Sequence, residues 1–437
     1  MSTVAVRAAL ILASIMLAAL SSAPAVAELP THRKVLTLRP LASEHVTDQE
    51  SGFPIYSGFG VAVAIRNGVA FVGIPDAVPD SRVGVYGQTA SGWVRTGTLT
   101  VQDPLVFNKD GFGRAIVFRD GVAVIASWKF VHVFKRVNGV WTDVQKFAPP
   151  PDSFDSFWRI NDMRLENGIL VIGSASTFIK GAAYVYELAA NGKFQLRATL
   201  RASISPRPID VFGSAVAVAG NVVVVGDPEQ SIAYVFRRRS DGTWAETQRL
   251  IGADTSPVES FGAAVAIDQG MIIVGAPRHE CLERADGFFC NPSGGSEPVP
   301  GGGAGGAAYV FTPIAGQYVQ VLKLRPRADE HANYYSFGRR IAMMGKHVVI
   351  DAALQSTEGE GIPGIEAIPN GLSFSYLRDG STLTARGITS GYVQSESMGL
   401  ANNWLLVGAA HDPQEHCQNE LDFCLGEASV FDLNRFR

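Results

Sequence analysis

The feature that most constrains this chain is a phrase of the form FGxAVAI, which returns along most of its length. Clear copies begin at Phe59, Phe112, Phe212, Phe261 and Phe337, and degenerate copies are FWRINDM from Phe157 and MGLANNW from Met398. An internally repeated chain extends one architecture rather than adding unrelated domains. Seven starts therefore predict seven copies of one structural unit.

Each copy continues with the same order of apolar segments and turns. A second segment ends in small residues, as in MIIVGAP from Met271, and a third, such as AAYVF from Ala307, follows a loop of variable length. In six copies a fourth segment follows a turn, whose glycines are Gly92, Gly139, Gly192, Gly242, Gly316 and Gly380. Four short strands joined by turns are typical of a propeller blade. We predict an all-β fold, a seven-bladed β-propeller of four-stranded blades.

The two ends of the repeated region complement each other. The seventh copy stops after ASVFDLNRFR and lacks a fourth strand, whereas KVLTLRPLASEH (34–45) precedes the first copy and matches VLKLRPRADEH (321–331) at the end of the fifth. We expect the N-terminal strand to complete blade seven and close the ring, which hides an edge strand. The matching ASEH and ADEH are expected to share a turn or cap role.

The first 27 residues have the pattern of a signal peptide. Arg7 precedes an apolar run from Ala8 to Leu20, and Ala25-Val26-Ala27 resembles a cleavage site. We expect a mature chain from about Glu28, a single propeller over 28–437, and a secreted or periplasmic location. No other segment is apolar for long enough to span a membrane.

Charge and cysteine content exclude some classes of protein. The net charge of −4 gives no basic footprint for nucleic acid. The four cysteines allow three disulfide pairings. Their spacing favours two local bridges, Cys281–Cys290 and Cys417–Cys424, and a zinc site, the alternative, lacks the CxxC spacing.

The copy from Phe261 resembles the FG-GAP repeat, which forms the propeller head of integrin α chains and occurs in bacterial secreted proteins. It carries FG, then VGAP (274–277), then GAAYVF (306–311). Calcium-binding members of that family have a DxDxDG-like loop between the first two strands. The corresponding turns here (RNG, RDG, ENG, AGN, DQG, MGK and ANN) have too few carboxylates for the six or more oxygens that calcium takes. We predict no metal and no cofactor.

The loops between second and third strands are long in the last three blades: Ala276 to Gly306, Ala353 to Gly371 and Ala410 to Glu427. The resemblance implies that ligands bind on the face that carries these loops. They hold 12 acidic and 2 basic residues, a net charge of −10, which could attract a cationic partner. The candidate ligand-binding residues are Glu280, Glu283, Asp286, Glu358, Glu360, His411, Asp412, Glu415 and His416. The alternative is that exposed loops simply carry solubilising carboxylates.

Two functions follow from this pattern. The first is a secreted, non-catalytic binding or adhesion module whose partner is a protein, a glycan or a cationic ligand. The alternative is a secreted propeller enzyme, a glycan hydrolase or lyase, with Glu280, His411, Asp412 and His416 as the candidates. We predict no catalytic residues, since no nucleophile elbow or comparable motif is present.

Overall fold

The fold is taken from a computed structural model, which describes residues 29–436 with gaps. The gaps are 42–43, 45, 48–53, 56, 78–79, 104–109, 149, 151–159, 176–179, 204–210, 256–258, 279–281, 285–286, 290–304, 326–333, 355–370, 393–395 and 410–425. Only the backbone is described at 46–47, 54–55, 282–284, 287–289, 334–335, 353–354 and 390–392. Within these residues the regular structure is strand and turn, and no helix has the length and apolarity to cross a bilayer.

The strands follow in chain order. Before the first blade come β1 (His32–Leu38), β2 (Val46–Thr47) and β3 (Pro54–Ile55). Blade one has β4 (Val63–Arg66), β5 (Val69–Ile74), β6 (Arg82–Thr89) and β7 (Gly92–Leu99). Blade two has β8 (Ala115–Arg119), β9 (Val122–Ala126), β10 (Val131–Val137) and β11 (Val140–Phe147). Blade three has β12 (Asp162–Glu166), β13 (Ile169–Ser174), β14 (Ala182–Leu188) and β15 (Phe194–Leu200).

The remaining blades continue the pattern. Blade four has β16 (Ala215–Ala219), β17 (Val222–Asp227), β18 (Ile232–Arg238) and β19 (Trp244–Leu250). Blade five has β20 (Ala264–Asp268), β21 (Met271–Ala276), a small hairpin of β22 (Leu282–Arg284) and β23 (Gly287–Phe289), β24 (Ala307–Ile314) and β25 (Gln317–Leu324). Blade six has β26 (Tyr334–Tyr335), β27 (Ile341–Met344), β28 (His347–Leu354), β29 (Gly371–Asp379) and β30 (Thr382–Tyr392). Blade seven has β31 (Ser397–Ala401), β32 (Trp404–Ala409) and β33 (Glu427–Phe436).

The blade strands form seven antiparallel sheets arranged in a ring, and β2 with β3 and β22 with β23 form two separate small hairpins. Each blade's first strand packs against the first strand of the next blade, and β31 packs against β4 to complete the circuit. Seven apolar clusters occupy the seven interfaces between neighbouring blades in the described part of the chain. The repeated phenylalanines Phe59, Phe112, Phe212, Phe261 and Phe337 are fully buried in five of these clusters. The seven-bladed all-β fold is as predicted.

The ring closes through the N-terminal strand. β1 pairs antiparallel with β33, so blade seven takes its fourth strand from the opposite end of the chain, as predicted. Pro30 and Thr31 reach the outer strand of blade six as well, because the carbonyl of Pro30 accepts a hydrogen bond from the Ile388 N–H (3.0 Å) and Thr31 bridges Ile388. The segment from Leu29 to Leu38 therefore holds two blades together, and we call it the seam.

Buried His32 fixes the seam to blade six. Its Nε2 lies 2.5 Å from the Ser375 hydroxyl, which itself donates to the Gly387 carbonyl (3.0 Å). The ring of His32 stacks on Phe436, with centroids 4.7 Å apart. Because Ser375 uses its proton on Gly387, the hydrogen bond between the two side chains requires a proton on His32 Nε2.

The register corrects the two degenerate copies. In blade one, Ala62 lies three residues after Phe59 and accepts from the Gly73 N–H. The corresponding residues are Asp162, opposite Gly173, and Ser397, opposite Gly408. The position equivalent to Ala62 is therefore Asp162, two residues later than a start at Phe157 predicts, and Ser397, four residues earlier than a start at Met398 predicts. Neither copy contains FG, and an apolar pattern alone allows the register to slip.

Two glycines of the repeat occupy one contact between blades. A Cβ on the glycine of the second strand would lie within 2.2 Å of the carbonyl oxygen of the next blade's FG glycine. The pairs are Gly73 with Gly113, Gly173 with Gly213, Gly226 with Gly262, Gly275 with Gly338, and Gly408 with Gly60. Ala126 and Asp351 replace the second-strand glycine in blades two and six. Blades three and seven, which follow them, are the blades without an FG glycine. Both glycines of the contact are therefore absent at the same two interfaces.

Candidate functional site

The strand order gives the ring two unlike faces. Consecutive antiparallel strands place the FG turns, the loops between second and third strands and the connections between blades at one end, which we call the loop face. The opposite end, the turn face, carries the turns between first and second and between third and fourth strands. The first and second strands are joined by two residues in every blade, at 67–68, 120–121, 167–168, 220–221, 269–270, 345–346 and 402–403.

The predicted ligand-binding side chains lie outside the described residues. Of the set, the structure gives only the backbone of Glu283, which lies in β22 opposite Phe288. Glu280, Asp286, Glu358, Glu360, His411, Asp412, Glu415 and His416 fall in the gaps, as do Cys281, Cys290, Cys417 and Cys424. The site and both disulfides remain predictions.

The neighbouring blade holds the residues at which the long loops of blades five and seven join their third strands. Gly306 precedes β24, and a Cβ there would lie 2.4 Å from the Phe337 nitrogen; Gly426 precedes β33, and its Cβ would lie 2.3 Å from the Phe59 carbonyl oxygen. Both glycines have positive φ, 102° and 73°. Only glycine fits where backbones approach this closely. The loops of blades five and seven therefore end on rigid, interlocked supports.

A polar clamp holds the connection between blades four and five at the same face. The Tyr309 hydroxyl donates to Asp254 Oδ1 (2.8 Å), and Lys323 Nζ lies 2.5 Å from Asp254 Oδ2. Tyr309 and Lys323 are opposite each other on β24 and β25. Burial, together with the hydrogen bond to Asp254, raises the pKa of Tyr309 far above its ordinary value, so the hydroxyl stays a donor.

Blade two builds the same clamp with histidine. Asp103, like Asp254, lies four residues after the last leucine of the preceding blade. His132 Nε2 lies 2.9 Å from Asp103 Oδ2, and Lys146 Nζ lies 2.5 Å from Asp103 Oδ1. His132 and Lys146 are opposite each other on β10 and β11. Asp143 Oδ2 lies 2.6 Å from His132 Nδ1. The repeat thus reuses one position to tie a connection to a blade.

The blade-two clamp contains a serine, a histidine and aspartates, but it is not a catalytic triad. Ser127 Oγ donates to Asp103 (2.6 Å) rather than to His132. Burial lowers the pKa of His132, yet the hydrogen bonds and charges of Asp103 and Asp143 outweigh it and raise that pKa overall. Because each ring nitrogen of His132 faces a carboxylate, neither is placed to take a proton from Ser127 as a general base would. This cluster is structural.

Within the ASEH segment the structure describes Glu44, which caps a turn. Glu44 accepts from the Leu41 N–H (2.8 Å) and forms a bidentate pair with Arg95, at 2.8 and 2.5 Å. Its side chain is 1% exposed. Glu44 therefore anchors the connection from the seam to blade one. The matching ADEH lies outside the described residues.

Charged side chains of opposite sign line the inner edge of the ring. Asp162 and Arg340 hold equivalent positions in blades three and six, where other blades have alanine or serine. Arg340 pairs with Glu396 (3.2 Å) and Asp162 with Arg164. Burial raises the pKa of Asp162, and burial together with Arg339 lowers that of Arg340. Asp162 and Arg340 each therefore have a partner of opposite charge among the described residues.

The described residues contain no group of three or more histidines, cysteines or carboxylates arranged to hold a metal ion. The two-residue turns between first and second strands are also too short to surround calcium with six or more oxygens.

The repeat family is now identifiable. The FG-GAP repeat model matches residues 244–311, from the fourth strand of blade four to the third strand of blade five. The chain contains an FG-GAP repeat. The matched unit crosses from one blade to the next and contains Phe261, Gly262, Gly275 and Gly306. These motif residues meet at the interfaces between blades, and they define the FG-GAP fold rather than a binding chemistry.

Solved structures with a similar fold have unrelated sequences. The WD40 domain of Toxoplasma gondii coronin is 8% identical, with 95% of this chain and 90% of that one covered and a TM-score of 0.48. A putative 6-phosphogluconolactonase from Bacteroides uniformis is 11% identical, with 80% and 91% covered and a TM-score of 0.48. These likenesses carry no argument about function. A comparison with curated protein sequences gives no match.

The sequence alone did not predict the two clamps. The strand residues that hold each aspartate are 29 to 69 residues away from it in the sequence, and no local motif marks them. One signal was present: the repeated tyrosine of AAYVF is His132 in VHVF of blade two. An aspartate four residues after the blade-ending leucine is the other half of that signal.

Removing the blade-five clamp should have a local effect. Tyr309→Phe is expected to lower the free energy of unfolding by about 1 kcal/mol through the lost hydrogen bond, and to speed amide exchange at 252–255. Asp254→Ala should do the same, and the double variant should cost less than the sum of the two because they break one interaction. Strictly additive costs in a double-mutant cycle would contradict the clamp.

Proposed function

We propose that this FG-GAP propeller is an exported binding or adhesion module that recognises its partner with the loops of blades five to seven. A propeller built from FG-GAP repeats is suited to binding and interaction rather than to one chemistry. Recognition by loops on a rigid scaffold loses little entropy at the loop ends. The observation that carries the proposal is the interlocking of Gly306 and Gly426 with the backbone of the next blade.

The charge of these loops suggests the class of partner. Their net charge of −10 contrasts with −4 for the whole chain, so this part of the loop face would attract a cationic protein or peptide. Such attraction increases the association rate and weakens with salt. The signal peptide and the two disulfides belong to the same proposal, because export permits disulfides that preorganise the loops.

The structure suggests a clean exchange of loops. Blade four joins β17 to β18 by the four residues 228–231, Pro-Glu-Gln-Ser, and Ser231 has the positive φ (53°) that Gly306 and Gly426 adopt. Replacing 277–305, 353–370 and 410–425 with the first three residues of this linker, Pro-Glu-Gln, keeps Gly306, Gly371 and Gly426 and should leave the blades intact. The matched control puts the same three residues in place of 175–180 in blade three and keeps Gly181.

We expect wild-type protein to bind polylysine or members of a glycan array. The triple exchange should weaken binding at least about tenfold, whereas the blade-three control should retain it. Surface plasmon resonance at two salt concentrations measures both. Equal binding after removal of all three loops would overturn the site, and no binding to either kind of probe by the wild type would contradict the proposed partners.

A further inference from the structure

The turn face has an uneven distribution of charge. In blades two to four, the ends of the third and fourth strands and the turns between them (135–141, 187–194 and 237–244) carry six basic and two acidic residues, a net charge of +4. The basic residues are Lys135, Arg136, Lys193, Arg237, Arg238 and Arg239. The equivalent segments of blades one and five (87–94 and 312–318) have no charged residue, and that of blade six (377–383) is neutral overall. We call the three basic segments the basic arc.

The basic arc is one continuous surface. Lys135 Nζ of blade two donates to the Gly192 carbonyl of blade three (2.9 Å), and Arg238 Nη2 of blade four donates to Glu187 of blade three (2.9 Å). These bonds tie three neighbouring turns together. The pair of Arg238 with Glu187 is neutral, so the remaining five basic residues and one acidic residue still carry a net charge of +4.

Three of the four remaining cations of the arc point to solvent. Arg136, Lys193 and Arg239 are exposed, and none of the three has a described carboxylate within ion-pair distance. The fourth, Arg237, lies over the Tyr318 ring at 5.2 Å. Charges of one sign that are left unpaired on a fixed surface favour a partner of the opposite sign.

Aliphatic side chains accompany these cations. Val137 and Val140 are 46% and 66% exposed on the blade-two turn, and Leu188 is 39% exposed on blade three. Val137 and Val140 pair across the turn, so both methyl groups lie at its tip. Ile314 on blade five is also exposed, at 48%, on the same face.

We propose that the basic arc docks the propeller on the surface of an anionic lipid bilayer. Lysine and arginine bind anionic headgroups, and exposed aliphatic tips enter the boundary between headgroups and chains. An acidic polysaccharide would use the cations but leave Val137, Val140 and Leu188 in water. With the acidic loops on the opposite face, docking would direct the loop face away from the membrane.

The test uses sedimentation with vesicles of phosphatidylcholine, with and without phosphatidylglycerol. Wild-type protein should bind the anionic vesicles, more weakly as salt increases, and not the zwitterionic ones. Each basic residue near the surface contributes about fivefold, equivalent to about 1 kcal/mol. Lys193→Glu/Arg239→Glu should therefore lower the partition coefficient by about 25-fold or more.

Matched variants separate the arc from net charge. Lys129→Glu/Lys180→Glu makes the same charge change on the loop face and should leave binding within about twofold. Val140→Ser should weaken binding severalfold without changing its salt dependence, because it removes apolar contact only. Thermal unfolding of each variant checks that the ring is intact.

Three results would overturn the proposal. The first is an absence of binding to anionic vesicles, and the second is an equal loss in the two double variants. The third is full competition by soluble dextran sulfate combined with no effect of Val140→Ser, which would assign the arc to a soluble polyanion.

Discussion

Gly275→Ala should destabilise the protein by about 3 kcal/mol or more, although it adds a single methyl group. The Cβ would lie 1.8 Å from the carbonyl oxygen of Gly338 in blade six. A backbone atom cannot rotate away as a side chain can, so blades five and six would have to separate. That separation would open the apolar cluster containing Phe337 and Ile273. Urea denaturation of wild type and variant measures the cost.

Gly97→Ala is the matched control. Gly97 lies in β7 on the outer edge of blade one, and a Cβ there meets nothing within 4 Å. Its substitution should change the free energy of unfolding by about 0.5 kcal/mol or less. If the two variants unfolded at the same urea concentration, the blades would not be packed through the glycine pairs.

Acid should destabilise the seam through His32, by about 3 kcal/mol between pH 6.5 and pH 4. Burial lowers the pKa of His32 from 6.5 to about 4. Arg386 and His347 act in the same direction, while the carbonyl of Arg435 and the carboxylate of Asp432 oppose it. The unfolded chain binds the proton near pH 6.5 and the folded protein only near pH 4. Stability is therefore lost as the pH falls through this window.

His32→Phe isolates the effect. Phenylalanine keeps the stacking on Phe436 and removes the titrating group, so the difference in unfolding free energy between variant and wild type should shift by about 2–3 kcal/mol from pH 7 to pH 4. Denaturant unfolding at a series of pH values measures it. A difference that stays constant with pH would show that His32 is not held neutral.

His132 provides a control of opposite sign. Its pKa is raised by Asp103 and Asp143 against the effect of burial. The stability that it contributes is complete below pH 6.5 and is lost as the pH rises through the folded-state pKa. His132→Gln should therefore change the unfolding free energy at pH values above 6.5. The loss of stability between pH 6.5 and pH 4, which depends on His32, should remain.

The repeat made the fold predictable because it encodes contacts as well as strands. Phe261, Gly262 and Gly275 recur with fixed spacing since each meets a neighbouring blade, and the count of such phrases gives the number of blades. Blades three and seven were placed in the wrong register because their starts lack FG. Asp162 and Ser397 occupy the position that is Ala62 in blade one. Without FG, the pattern of apolar residues alone did not determine the register of these two strands.

The candidate site was less predictable than the fold. Loop length and charge point to blades five to seven, but loops vary freely and their side chains obey no repeat. The clamps depend on partners such as Asp254 and Tyr309, 55 residues apart, which only the folded ring brings together. The basic arc is likewise divided among three turns, and each one alone resembles an ordinary solvated turn.

The seam also determines the order in which the ring can form. Blades one to six are built from consecutive hairpins, whose contacts are local and form quickly. In contrast, β1 must wait for β33, from which all the strands of blades one to six separate it in the sequence. Until then β33 has an unpaired edge that could pair with another chain. The slowest step of folding is therefore expected to be the docking of Leu29 to Leu38, and chaperone protection should matter most for this final closure.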